Sequence, residues 1–230
     1  MKIIGYLYPK ILLYYMTILP KKWIPYEKTI YLEDYYILIV SDIHLGRCDS
    51  SEFDKEFQYN EKYERLNNSI EKFNPKTLIL NGDTFYNQFN GCNPMIEDEY
   101  AISILRKWRD SVDEFLLLEG NHELTLDGFT DNIKDEFNVG MYKRVDDILI
   151  HHGHNEPAQE AKHNIIGHVH PRRDGDDVFH YCSNGYEGSS VTILPTFCKY
   201  VDGVDIDYYD GICPILDDGI DSKEYKCMKA

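Results

Sequence analysis

The sequence predicts an α/β fold with a parallel sheet and a functional crevice at the carboxyl ends of its strands. Three observations carry this. Five apolar runs each end in a side chain able to bind metal: YYILIVSDIH (35–44), TLILNGD (77–83), FLLLEGNHE (115–123), ILIHHGH (148–154) and NIIGHVH (164–170). Runs of this length, apolar on both faces, suit strands covered on both sides. Helical stretches separate the first three runs, and alternating strands and helices imply parallel pairing. In such sheets the functional crevice lies outside the carboxyl ends of the strands, where all five polar clusters fall.

The chain opens with MKIIGYLYPKILLYYMTILPKKW, which Lys10 interrupts; the apolar part from Ile11 to Pro20 is too short to span a bilayer. It has no small-residue cleavage pattern. It reads as a tyrosine-rich element packed on the domain, with no membrane span. After the first run, Phe53, Phe57, Tyr63, Leu66, Ile70 and Phe73 recur at roughly helical spacing. They predict a helix over 53–73 whose aromatic stripe faces the core. NPMIEDEYAISILRKWRDSV (93–112) predicts a second helix, opened by Pro94. Beyond residue 171 come DDVFHYCS (176–183), SVTILPTF (190–197) and GVDIDYYD (203–210), punctuated by Gly and Pro. These predict later strands of a second sheet. At 230 residues and 43% hydrophobic content, with no linker, low-complexity tract or internal repeat, the expectation is one domain over 1–230.

Net charge is −16, from 24 basic and 40 acidic residues. An autonomous duplex-binding domain presents a basic face, so long nucleic acid would need a locally positive site or a basic partner here. Six cysteines, at 48, 92, 182, 198, 213 and 227, are scattered without a C-x-x-C pair. This points away from a zinc finger or a disulfide scaffold and fits a reducing cytoplasm.

Asp42 and His44 stand two apart after the first run, Asp83 follows the second, and Asn121 with His122 the third. His152 follows the fourth run, and His168 with His170 the fifth. Residues two apart on a strand point the same way, so His168 and His170 are expected to face one spot. By the same rule His151 points away from His152. Singly, Asp42 is explained as a strand-end cap, and Asp83 and Asn121 as turn formers beside Gly82 and Gly120; jointly, five coincidences in order favour a metal site. Carboxylate, imidazole and amide donors without thiolate suit manganese, iron or zinc, and the oxygen share leans toward the first two. Two dications against two carboxylates leave the site locally positive, which lets an acidic protein attract a phosphate.

The ordered blocks D-x-H (Asp42, His44), G-D (Gly82, Asp83), G-N-H-E (Gly120 to Glu123), H-G (His152, Gly153) and G-H-x-H (Gly167 to His170) resemble the calcineurin-like metallophosphoesterases over residues 36–171. SDIHLG, HHGHNEP, IIGHVHP and the late ILPTF followed by DGVDID resemble the archaeal SbcD-related phosphoesterase subgroup, to about residue 207. The wider resemblance implies a four-layer α/β/β/α sandwich of two mixed sheets, with a dinuclear metal centre between the strand ends. Carried over residue by residue, it puts Asp42, His44, Asp83 and His170 on one ion. It puts Asp83, Asn121, His152 and His168 on the other, with Asp83 bridging. His122 then matches a non-ligand catalytic histidine that protonates the leaving oxygen or steadies phosphorane charge.

The implied cofactors are two divalent metal ions, manganese first with iron or zinc as alternatives, which make hydroxide available as nucleophile near neutral pH. The implied activity is hydrolysis of phosphate esters, first of all small or nucleotide-like phosphodiesters. A nuclease working with a partner subunit is the alternative reading. A non-catalytic scaffold of the same fold would show substitutions in the ligand set, and none is visible. Glu123 is expected to orient a ligand histidine and His154 to back the site or face solvent. Arg47, Arg172 and Arg173 are expected to meet substrate phosphate or solvent. Oligomeric state stays open.

Overall fold

The computed structural model describes residues 22–47, 52–86, 99–124, 131–157, 159–183, 189–205, 213–214, 216 and 225–230. The tyrosine-rich opening and Pro94 lie outside the described residues.

The first sheet has the order β1 (Trp23–Tyr26), β2 (Thr29–Leu32), β3 (Ile37–Val40), β4 (Thr77–Asn81), β5 (Glu114–Leu118) and β6 (Asn138–Gly140). β1 to β3 pair antiparallel, and β3 to β6 pair parallel. The parallel half follows from its crossovers, since parallel strands need a long connection. α1 (Glu52–Phe73) joins β3 to β4 and α2 (Glu99–Arg109) joins β4 to β5. α3 (Asn121–Leu124) and α4 (Asp131–Glu136) precede β6.

Period-two alternation on the central strands builds two cores at once. Leu38, Val40, Leu78, Leu80, Phe115 and Leu117 join Leu66, Ile70, Leu105 and Trp108 of the helices. The intervening residues Ile37, Ile39, Ile79, Leu116 and Leu118 join Ile148, Ile150, Ile165 and Phe179 of a second sheet. Burial on both faces is why these runs read as continuously apolar.

Along α1, Tyr59, Leu66 and Ile70 are buried, with Tyr63 and Phe73 packed on the same core. Phe57, expected in this stripe, is instead 64% exposed. Residues 59, 63, 66, 70 and 73 share one helical face, whereas 57 precedes 63 by six residues, about a third of a turn out of phase. The side chain of Phe53 lies outside the described residues.

The second sheet comprises β7 (Tyr142–Val145), β8 (Ile148–His151), β9 (His163–Ile166), β10 (Pro171–Arg173), β11 (Asp176–Cys182), β12 (Ser190–Ile193), β13 (Val204–Asp205) and β14 (Tyr225–Lys229). Its order is β13-β10-β11-β12-β9-β8-β7, with β14 paired to β11. It is mixed: β8, β9 and β12 are parallel, while β7 and β11 run antiparallel to their neighbours β8 and β12. The expected late strands are present as β11, β12 and β13. On the outer face of this sheet Ile166, Val178, Val191 and Ile193 pack with Cys213 and Leu216, a cluster with no helical member among the described residues. The architecture is thus two mixed sheets face to face with flanking helices. No helix among the described residues is long and apolar enough to cross a membrane.

Candidate metal centre

Each polar cluster begins where a strand stops. β3 ends at Val40, β4 at Asn81, β5 at Leu118, β8 at His151 and β9 at Ile166, and the chain then bends sharply. Asp42, His44, Asp83, His168 and His170 have φ of 56°, 47°, 48°, 65° and 49°. This left-handed region costs a non-glycine residue roughly 1–2 kcal/mol. Hydrogen bonds between neighbouring loops offset the cost: the N–H groups of Asp42, His44 and Leu45 donate to the carbonyls of Gly82, Asp83 and Thr84 at 3.2, 2.9 and 2.7 Å.

One expectation is corrected here. His168 and His170 lie past the end of β9, in the loop, so strand alternation does not govern them. They still converge on one cluster, through different partners. His170 groups with Asp42 and His44, and His168 with Asp83 and His152, each set of donor atoms lying within 4.8 Å of one another. His44, Asp83 and His122 form a third such group.

The two carboxylates organise the cluster. Asp42 Oδ1 lies 2.9 Å from His170 Nε2 and 3.8 Å from His152 Nε2, and the backbone N–H of His168 donates to both Asp42 oxygens at 3.3 and 3.1 Å. Asp83 Oδ2 lies 3.3 Å from His152 Nε2, 3.7 Å from His122 Nε2 and 4.0 Å from His44 Nε2. Asp83 Oδ1 accepts from the His122 backbone N–H at 3.0 Å, and Asn121 Oδ1 lies 3.2 Å from His152 Nε2. All seven sequence-predicted ligands and His122 therefore meet in one place.

Tautomers are fixed from behind. His152 Nδ1–H donates to the Asn81 carbonyl at 2.9 Å and His170 Nδ1–H to the Asp202 carbonyl at 3.2 Å, which turns both Nε2 atoms toward the carboxylates. Asn81 itself is buried, and its amide donates to the His151 carbonyl at 3.0 Å, tying β4 to β8 across the two sheets. One signal of this role was visible in the sequence, an asparagine closing the apolar run LIL of TLILN.

The electrostatics match a site built for cations. Burial disfavours the Asp42 carboxylate, but the His170 and His152 imidazoles outweigh it and hold Asp42 at about 2. Asp83 is likewise lowered despite its burial, chiefly by His152 and then His44. Burial would lower His152, yet Asp83 and Asp42 push it up to about 10. His44 behaves oppositely: burial dominates the two carboxylates and drives it down to about 3, so it is neutral and able to ligate.

The hydrogen bonds of Glu123 run to backbone: its carboxylate accepts the N–H groups of Gly120, Asp83 and Phe85 at 2.8, 3.0 and 3.1 Å, and so holds the Asp83 loop. Burial and then Asp83 raise its pKa to about 7. His151 points away as expected, its Nε2–H donating to Asn164 Oδ1 at 3.3 Å. His154 backs the cluster, its ring 5.4 Å from His152 and 6.2 Å from His168. The Arg47 guanidinium sits 4.7 Å over Tyr86, whose ring stacks on His122 at 5.7 Å. Arg172 is engaged by Asp177 at 2.9 Å and Asp202 at 3.8 Å.

Two mixed sheets with carboxylates and imidazoles gathered at the strand ends define a candidate metal-centre protein, and comparison assigns its class. The model of the family described as calcineurin-like phosphoesterase matches residues 35–200, and the chain belongs to that family. It is thus a hydrolase acting on phosphate esters. Among solved structures, the nuclease MPE of Pseudomonas putida is similar at a TM-score of 0.60 and 19% identity, over 80% of this chain and 86% of that one, a likeness of fold. Yfce, a phosphoesterase from E. coli, aligns over 69% of this chain and 77% of that one at a TM-score of 0.42 and 14% identity. Comparison with curated proteins finds no match.

Proposed function

We propose that the chain is a phosphodiesterase working through two divalent ions, manganese foremost. Asp42, His44, Asp83 and His170 would hold one ion, and Asp83, Asn121, His152 and His168 the other. The observation that supports this best is the position of Asp83, whose Oδ2 faces His152 on one side and His44 on the other. The donor set fits the ions: among the described residues neither buried ring nitrogen of His44 has a hydrogen bond, and two anionic carboxylates face the imidazoles of His44, His152, His168 and His170. When bound, the ions supply Lewis acidity toward phosphoryl oxygens and make water acidic enough to react near neutral pH.

The protein's own share is positioning and proton transfer. Asn81 and Asp202 lock the His152 and His170 rings, and Glu123 holds the Asp83 backbone. His122, with its side chain 23% exposed, stands at the rim of the buried cluster, from which Nε2 can protonate a leaving oxygen. Small or nucleotide-like phosphodiesters are the proposed substrates. A second reading, nuclease action, is suggested by the name of the Pseudomonas neighbour, and the net charge of −16 opposes it for the isolated chain.

Elemental analysis and manganese titration test the proposal. Wild type should bind two ions per chain, Asp83→Ala should lose both, and His44→Ala should mainly weaken one. Retention of two ions by Asp83→Ala would overturn the bridging role. Of monoester, diester, cyclic-nucleotide and single-strand substrates assayed with manganese, diesters should turn over fastest.

A further inference from the structure

Lys62 lies on α1, outside every motif, and is 1% exposed. A lysine is almost never buried unless its ammonium has partners. Here Nζ donates to the main-chain carbonyl of His44 at 2.7 Å, and the Cys198 thiol is its other close partner. The segment containing Cys198 grips the same loop. Cys198 N–H and Thr196 Oγ1–H both donate to the Asp42 carbonyl, at 3.2 and 3.1 Å, and Phe197 N–H donates to that of Ser41 at 3.1 Å. One turn along α1, Arg65 lies over the Phe197 ring at 3.8 Å and donates to the Phe197 carbonyl. The carbonyls of the 41–44 loop are therefore held from α1 and from the stretch after β12.

His44 explains why such a clamp is needed. A metal-binding histidine ordinarily donates its second ring N–H to an acceptor that fixes the ring, as His152 does to Asn81 and His170 to Asp202. Among the described residues neither His44 nitrogen has a hydrogen bond, although both are buried. Its ring is surrounded by other rings, those of His122, His170 and Tyr86 at 5.0, 5.4 and 5.9 Å. Packing leaves the ring free to shift with its backbone, and that backbone holds φ at 47°.

We propose that Lys62 is a positioning residue for the His44 metal ion: its buried ammonium fixes the His44 carbonyl, replacing through the main chain the ring acceptor that His44 lacks. This rests on the two-ion reading above. The consequence is that the two ions depend differently on α1, the His44 ion strongly and the His152 ion little.

The test is manganese binding by calorimetry, without substrate, on the full chain. Lys62→Met should weaken one ion by about 10–100-fold, the range seen when a ligand's supporting partner is removed, and leave the other unchanged. Leu66→Ala, a buried core change one turn away on α1, serves as control: it should lower the thermal midpoint of the metal-free protein yet keep both affinities. Lys62→Arg, which restores a charged donor, should recover most of the lost affinity. Unchanged binding in Lys62→Met, or loss of the same ion in Leu66→Ala, would overturn the tether while leaving the two-ion reading intact. If Lys62→Met does not fold, Lys62→Gln takes its place and is read by the same criteria. Failure of the wild type to bind two ions would overturn both.

Discussion

The proposed division between metal binding and chemistry can be tested at His122. Its backbone N–H donates to Asp83 Oδ1 at 3.0 Å, while its Nε2 stands 3.7 Å from Asp83 Oδ2, so both ends of the residue address one carboxylate. If the side chain protonates the leaving oxygen, His122→Asn should keep both ions and lower turnover by about 10²–10⁴-fold. The loss should be smaller for a nitrophenolate leaving group, which needs little protonation, than for an alkoxide. Equal losses would indicate charge stabilisation, and loss of an ion would make His122 a ligand, as its grouping with His44 and Asp83 allows. The identities of the site residues were legible in the sequence because ligand chemistry restricts side-chain type. Their conformations were not, since left-handed φ at Asp42, His44, Asp83, His168 and His170 leaves no compositional trace. The glycines of the motifs were visible but unexplained. A Cβ at Gly120 would lie 2.2 Å from Asp83 Oδ1, and one at Gly167 would lie 1.8 Å from Ser41 Oγ and 2.4 Å from Asp42 Oδ2. Both glycines exist so that the backbone can approach a carboxylate.

Among the elements, β9 carries a titratable group unrelated to catalysis. His163 is buried between Ser190 Oγ, which contacts Nδ1, and Thr192 Oγ1, 2.9 Å from Nε2, with the Trp23 ring edge-on at 4.5 Å. Burial drives its pKa down to about 3. A folded value below the unfolded one, about 6.5, means that stability is fully present above pH 6.5 and falls as the pH drops toward 3, because only the unfolded chain takes up the proton. The slope is at most about 1.4 kcal/mol per pH unit for one group. Metal-free His163→Gln should therefore lose stability less steeply than wild type between about pH 6 and 4 in urea titrations; parallel slopes would refute the assignment. His180, lowered to about 4 by burial and Arg173, should behave alike. Strands with long apolar runs were legible for the same reason that they are buried on both faces. The β1–β2 hairpin was not, because its turn places Glu27 and Lys28 at φ of 45° and 66°, where Asn-Gly or Asp-Gly would have announced it. Its counterpart between β10 and β11 does use Asp174-Gly175.

On the scale of the whole molecule, two electrostatic regimes are superposed. The five strand ends collect imidazoles around two carboxylates in a small volume, while the chain as a whole carries a net charge of −16. Sequence composition made the second legible, and only the folded arrangement shows the first as a compact site, since its residues are spread from 42 to 170. The two act at different ranges. Ions bound in the centre would attract a phosphate at contact distance, whereas the surface charge acts over a Debye length, about 30 Å at 0.01 M salt and about 8 Å at 0.15 M. A short diester carries little charge and meets mainly the near field. A long duplex spans the far field and is repelled by it, most strongly when salt is low. Turnover of a dinucleotide-sized diester should thus change little with ionic strength, while any binding of long duplex DNA by the isolated chain should weaken as salt is lowered, the reverse of the dependence that basic DNA-binding proteins show. Gel-shift titration at low and moderate salt with manganese present checks this. Tight duplex binding at low salt would mean that a positive surface escapes the net charge, and would move the functional reading from small diesters toward nucleic acid.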